Sequence, residues 1–201
     1  MSNTLLMPGH RVCEYKLIVP LSEPLQQAVV RMRAALHDKY KIPFAADDKP
    51  CLTALHCYAY EGMEEKLAER IQQVVTRMPA FRVELEYFSA HSSTTIFIRV
   101  ANRAPFYELS KELKVVKSLT KVPAHESTLV AEPHIDIAQK LKPFQFIRIW
   151  MDCEHQPFTG SFKVSDMLLL KRSLSTTTFA LMQRFELAAQ AVHARQGVLF
   201  A

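Results

Sequence analysis

Apolar positions along the chain switch repeatedly between a period of two and a period near 3.6. The stretch CEYKLIV, from Cys13 to Val19, is short, apolar and closed by Pro20, as expected of a buried strand. Ser22 then offers an N-cap, and Leu25, Ala28, Val29, Met32 and Leu36 recur at helical spacing. Past the breaker-rich KIPFAADDKP comes a second apolar strand, CLTALHCYAY, and then a helix with Leu67, Ile71, Val74 and Met78 on one face. Phe81, Val83, Leu85 and Tyr87 alternate, as do Ile96, Ile98 and Val100, which predicts two half-buried strands joined by a turn at HSST.

The second half repeats this grammar. Phe106, Leu109, Leu113 and Val116 mark a helix that starts after Pro105, and a loop from Thr120 to Glu132 leads to the strand PHIDIA. Phe144 to Cys153 reads as a short helix, and FKVSDMLLLKR as one strand. Phe179, Leu181, Gln183, Phe185 and Leu187 alternate in a last strand, and the tail after Ala188 is read as a helix or a frayed end. Strands and helices mix without a strict βαβ rhythm, so the expected class is α+β with mainly antiparallel sheets. Neither half carries enough helix and strand to bury a core alone. A single bilobal domain over 1–201, its two interwoven lobes packed into one body, is therefore expected.

Composition narrows the chemistry. The 201 residues are 49% hydrophobic and 22% charged, as in an ordinary folded domain. The start MSNTLLMPGHRV has no basic segment leading into an apolar one, and no apolar run is long enough to span a bilayer, so a cytoplasmic protein with no membrane partner is expected. Only four glycines occur, Gly9, Gly62, Gly160 and Gly197, and none is near another. Phosphate-cradling loops need clustered glycines, so nucleotide-binding loops of the Walker and Rossmann kinds are excluded, and any phosphate chemistry must run on side chains. Cys13, Cys51, Cys57 and Cys153 form no CxxC pair and read as reduced thiols. The net charge of +5 favours an anionic partner mildly. Lys111, Lys114, Lys117 and Lys121 follow helical spacing and read as a solvated face, so no DNA partner is expected.

One pair of segments stands out. KPCLTAL from Lys49 to Leu55 and EPHIDIA from Glu132 to Ala138 both read charged residue, proline, Cys or His, aliphatic, Thr or Asp, then small or aliphatic residues. On a strand, side chains two apart share a face, so Cys51 projects with Thr53 and His134 with Asp136. This pairing, one motif per half and about eighty residues apart, resembles the two-histidine phosphoesterase superfamily, which includes 2′-5′ RNA ligases and 2′,3′-cyclic nucleotide phosphodiesterases. The likeness runs from about Tyr15 to Glu186 and takes in EGMEEKLAERIQ, PFYELSKELK, HIDIAQKLKPFQ and MLLLKR. It implies a bilobal α+β fold with both motifs on the floor of a groove, a nucleotide or RNA end as ligand, and neither metal nor other cofactor. It also implies one histidine as general base, one as general acid, and a hydroxyl beside each to hold phosphate oxygens. Imidazoles near pKa 6.5 suit that exchange at neutral pH.

The chain departs from the pattern once in each half. Cys51 stands at the first histidine position beside Thr53, and Asp136 stands at the second hydroxyl position beside His134. Taking His56 as the first histidine fails on the flanks, since proline would precede it by six residues and Tyr58 would fill the hydroxyl position. A thiol is never cationic and donates hydrogen bonds poorly. A carboxylate 4 Å from a phosphate oxygen repels it by about 4 kcal/mol at an effective dielectric near 20. Three readings stay open: ligand binding without turnover, slow turnover through His134 or through another residue that takes over, and a new Cys51–His134–Asp136 arrangement suited to zinc or thiol chemistry. His10, His37, His91, His125, His155 and His193 have no partner at ligand spacing, and Lys140 and Lys142 are solvated or line the groove rim. Trp150 is read as a packing residue.

Overall fold

The structure is a computed structural model that describes residues 10–42 and 49–189. In chain order its elements are β1 (Val12–Pro20), α1 (Glu23–Tyr40), β2 (Cys51–Tyr60), α2 (Glu64–Val75), β3 (Phe81–His91), β4 (Thr95–Val100), α3 (Ala104–Glu112), β5 (Thr128–Leu129), β6 (His134–Ala138), α4 (Pro143–Cys153), β7 (Thr159–Val164), β8 (Asp166–Ser173) and β9 (Ala180–Glu186). Short 3-10 turns over Glu61–Met63 and Leu113–Val116 lead into α2 and extend α3. Ser22 occupies the N-cap of α1, but its side chain makes no capping hydrogen bond there.

The strands form two antiparallel sheets, one of five strands in the order β5-β2-β1-β8-β9 and one of four in the order β6-β4-β3-β7. The α+β expectation is met. α2 and α3 pack with the five-stranded sheet, through β9 and β2, while α1 and α4 pack with the four-stranded sheet, through β6 and β4. Thus α1 follows a strand of one sheet and serves the other, as does α3. The core is apolar and continuous through both, from Tyr15, Leu17 and Leu52 beside Leu67 and Ile71 to Ile96, Ile98, Ile135 and Ile149. Such burial is the main favourable contribution to folding.

Three details differ from the sequence reading. The run Phe162–Arg172 is not one strand. The chain leaves the four-stranded sheet after Val164 and enters the five-stranded sheet at Asp166, because β7 pairs with β3 and β8 with β1. The phase of burial shifts with it, from Phe162 and Val164 to Met167 and Leu169. Within the loop from Thr120 to Glu132, Thr128 and Leu129 add a short edge strand to β2. In β9 the alternation is broken by a bulge opposite Leu169 and Leu170, which leaves Leu181 58% exposed. The tail after Ala188, read as a helix or a frayed end, falls mostly outside the described residues. Trp150 is half-buried and stacks on Phe146. Among the described residues no helix is long and apolar enough to cross a membrane.

Candidate functional site

The two motif segments open β2 and β6, which belong to different sheets yet run next to each other. Their local structures match residue by residue. Lys49 and Glu132 are exposed, Pro50 and Pro133 buried, Cys51 half-buried and His134 more exposed, Leu52 and Ile135 buried, and Thr53 and Asp136 half-buried. Two consecutive buried residues follow in each case, Ala54–Leu55 and Ile137–Ala138. A bulge accompanies each of these pairs: Thr53 pairs with Ile18 and Leu55 with Leu17, while Asp136 pairs with Phe97 and Ala138 with Ile96. The pseudo-repeat seen in the sequence is therefore a repeat of backbone geometry.

On β6, His134 and Asp136 face the same way and touch. His134 Nε2 lies 3.4 Å from Asp136 Oδ1, with the two side chains 40% and 29% exposed. The imidazole Nδ1 is 3.4 Å from the Glu132 carbonyl, and the Phe97 ring lies against it with centroids 4.5 Å apart. The polar contact with Asp136, reinforced by its charge, raises the His134 pKa above the usual 6.5, and burial opposes the shift without cancelling it. Asp136 Oδ1 is itself buried and has no aligned hydrogen bond, so the pair at 3.4 Å is held by charge more than by direction. From α1, Arg33 Nε donates to the Asp136 carbonyl at 2.9 Å and ties that helix to the motif. Arg103 pairs with Glu132 at 2.8 Å just ahead of it.

On β2, Cys51 and Thr53 are half-buried on the open face of the strand. Among the described residues no three His, Cys, Asp or Glu side chains gather as metal ligands, so Cys51, His134 and Asp136 do not form the zinc arrangement left open above. Lys140 and Lys142 are exposed.

His56 rejoins the open face because the bulge moves it there; strict alternation from Thr53 would have turned it inward. It meets a buried carboxylate, Glu14, at 2.7 Å, and Arg172 holds the other oxygen of that carboxylate at 2.6 Å. Sequence reasoning missed this trio. The one available signal was a glutamate, a histidine and an arginine inside otherwise apolar strands.

The fold and the paired motifs define a two-histidine phosphoesterase architecture. A sequence profile of the 2′-5′ RNA ligase superfamily matches residues 21–176, and the chain belongs to that superfamily. The solved structure of LigT from Escherichia coli in apo form is similar at a TM-score of 0.62 and 16% identity, over 89% of this chain and 99% of that one. TT0787 of Thermus thermophilus is similar at a TM-score of 0.61 and 15% identity, over 88% and 98%. A structure described as a phosphoesterase reaches a TM-score of 0.64 at 16% identity, over 90% and 99%. A search of curated protein sequences finds no match.

Proposed function

We infer that the chain holds a phosphodiester, as part of a nucleotide or an RNA end, between β2 and β6, and that the acid–base step of its superfamily is weakened or lost. The observation that carries this reading is the duplicated geometry of the two motifs, with the same exposure pattern and the same bulge behind each. Such a matched pair presents two sets of side chains to one ligand. LigT, similar in fold, has been solved with phosphate, with ATP and with 3′-AMP, which supports an anionic ligand of nucleotide size here.

The residues present can do half of the chemistry. Asp136 faces His134 and raises its pKa, which favours the protonated ring and suits a general acid that protonates the ribose oxygen leaving phosphorus. The base that would take the proton from attacking water is missing, because Cys51 stands in its place. Thr53 can hold a phosphate oxygen through its hydroxyl. Asp136 at the equivalent position repels one. Loss of one acid–base partner lowers the rate by roughly 10²–10⁴.

The test is hydrolysis of a 2′,3′-cyclic nucleotide by the wild type, by His134→Ala, and by Cys51→His combined with Asp136→Thr. The expected result is little or no wild-type turnover and a gain in the double variant. Efficient wild-type turnover abolished by His134→Ala would overturn the degenerate-site reading.

A further inference from the structure

The open face of the five-stranded sheet carries a polar cluster beside the first motif. Register places Lys16 of β1 opposite His56 of β2, and Glu14 opposite both Tyr58 of β2 and Arg172 of β8. Glu14 is only 3% exposed. Its Oε1 accepts from His56 Nε2 at 2.7 Å, and its Oε2 accepts from Arg172 Nε at 2.6 Å, with Nη2 also at 2.6 Å. Burial pushes the Glu14 carboxyl pKa up, but the hydrogen bonds from Arg172 and His56 outweigh it and hold the pKa below the usual carboxylate value. The anionic Glu14 thus fixes Nε2–H of His56 as the donor and turns the other ring edge away.

Charge does not balance in this cluster. One buried carboxylate holds His56 and Arg172, and Lys16 stands beside them on the same face. Lys16 Nζ and Arg172 Cζ each lie 4.6 Å from the centroid of the Phe179 ring, so two cations flank one aromatic ring. Arg172 is neutralised by Glu14, whereas Lys16 has no carboxylate partner among the described residues. Burying such a group of charges is a weak route to stability, since apolar residues of similar size would serve as well or better. An excess of positive charge on an open, oriented surface is what an anion requires.

Distance decides which anion. A strand advances about 3.3 Å per residue, so His56 stands about 7 Å beyond Thr53 and about 13 Å beyond Cys51 once the bulge absorbs one residue. That is too far for His56 to replace the missing histidine on the same phosphorus. It suits the next anionic group along the ligand. We propose that Lys16, with His56, Arg172 and Glu14 packed beside it, forms a second phosphate subsite. It takes either the 5′-phosphate of the bound nucleotide or the neighbouring phosphodiester of an RNA strand. This rests on the reading that the first phosphate lies between β2 and β6.

Calorimetric titration with three probes tests it: 3′-AMP, adenosine 3′,5′-bisphosphate, and the dinucleotide ApAp with a 3′-phosphate. In the wild type the second phosphate should tighten binding by about tenfold over 3′-AMP, as expected of one charge-assisted contact. A gain for the bisphosphate that ApAp lacks assigns a terminal 5′-phosphate; a gain that ApAp shows as well assigns the phosphodiester of a strand. Lys16→Met should remove the gain and leave 3′-AMP within about twofold, Lys16→Arg should keep it, and His56→Gln should reduce it. Added salt should shrink the gain in the wild type, a readout that needs no variant. If 3′-AMP binds but all three probes bind alike, or the gain survives both Lys16→Met and His56→Gln, the subsite is refuted and the reading of the first site stands. If no probe binds, both are refuted.

Discussion

Asp136→Asn isolates the carboxylate that stands where the superfamily has a hydroxyl. The substitution keeps shape and removes one negative charge from a residue whose Oδ1 is buried and without an aligned hydrogen bond. On the proposed reading, a phosphate oxygen about 4 Å away would be repelled by about 4 kcal/mol at an effective dielectric near 20, and by about 1 kcal/mol in bulk water. Asp136 is 29% exposed and already paired to His134 at 3.4 Å, so the gain falls between those limits. That corresponds to roughly 5-fold to 1000-fold tighter binding of 3′-AMP. His134 must stay protonated for the comparison, because the same carboxylate raises its pKa above 6.5 and the variant loses that support. The titration is therefore run near pH 5.5, below the ordinary histidine value. A parallel NMR titration of His134 should show its pKa falling towards 6.5 in Asp136→Asn. Because its folded pKa is raised, His134 contributes stability fully present below its unfolded pKa and lost as pH rises through its folded pKa. Unchanged or weaker binding at about pH 5.5, with His134 protonated in both proteins, would refute the assignment of Asp136 to the phosphate.

Two further outcomes follow from buried groups. Glu14→Gln should destabilise the fold by about 1–3 kcal/mol at about pH 7, less than for a fully buried pair because His56 and Arg172 are each about one-third exposed and regain water. Since the Glu14 pKa is lowered in the folded state, its contribution is present above the unfolded value and fades as pH falls through the folded one. Urea unfolding should thus show the gap between wild type and variant closing below about pH 4.5, and a gap that is constant down to about pH 3 would contradict the ionised pairing. Burial pushes the Cys57 thiol up to about 12 and the Cys153 thiol up to about 11. Neither should be alkylated by iodoacetamide at about pH 8 until the protein is unfolded; mass spectrometry reads this directly, and labelling of Cys57 in the folded protein at the denatured rate would refute it.

Much of the site was legible because its signal is local. The motif pair is two short strings with the same order of residue types, and strand alternation alone put Cys51 with Thr53 and His134 with Asp136. The grouping around Glu14 was not legible, because it joins β1, β2 and β8, and the orientation of His56 depends on a bulge. A bulge is created by pairing with a partner strand, here Leu17 and Ile18 against Leu55 and Thr53. The same limit explains the strand read as one from Phe162 to Arg172. Its shift of phase near Ser165 lay in the sequence, but the change of sheet depends on which distant strands accept each half.

By itself the sequence determined the α+β class, most of the elements in their order, the absence of glycine-rich phosphate loops, and the two paired motifs. Each of these depends on residue type and on spacing within a few positions, where period and propensity act directly. Tertiary structure alone decided that β2 and β6 run side by side, that both motifs carry the same bulge, and that Glu14 holds His56 and Arg172 together. Those last contacts join segments 42 and 158 residues apart, fixed by strand register and core packing, which no local pattern encodes.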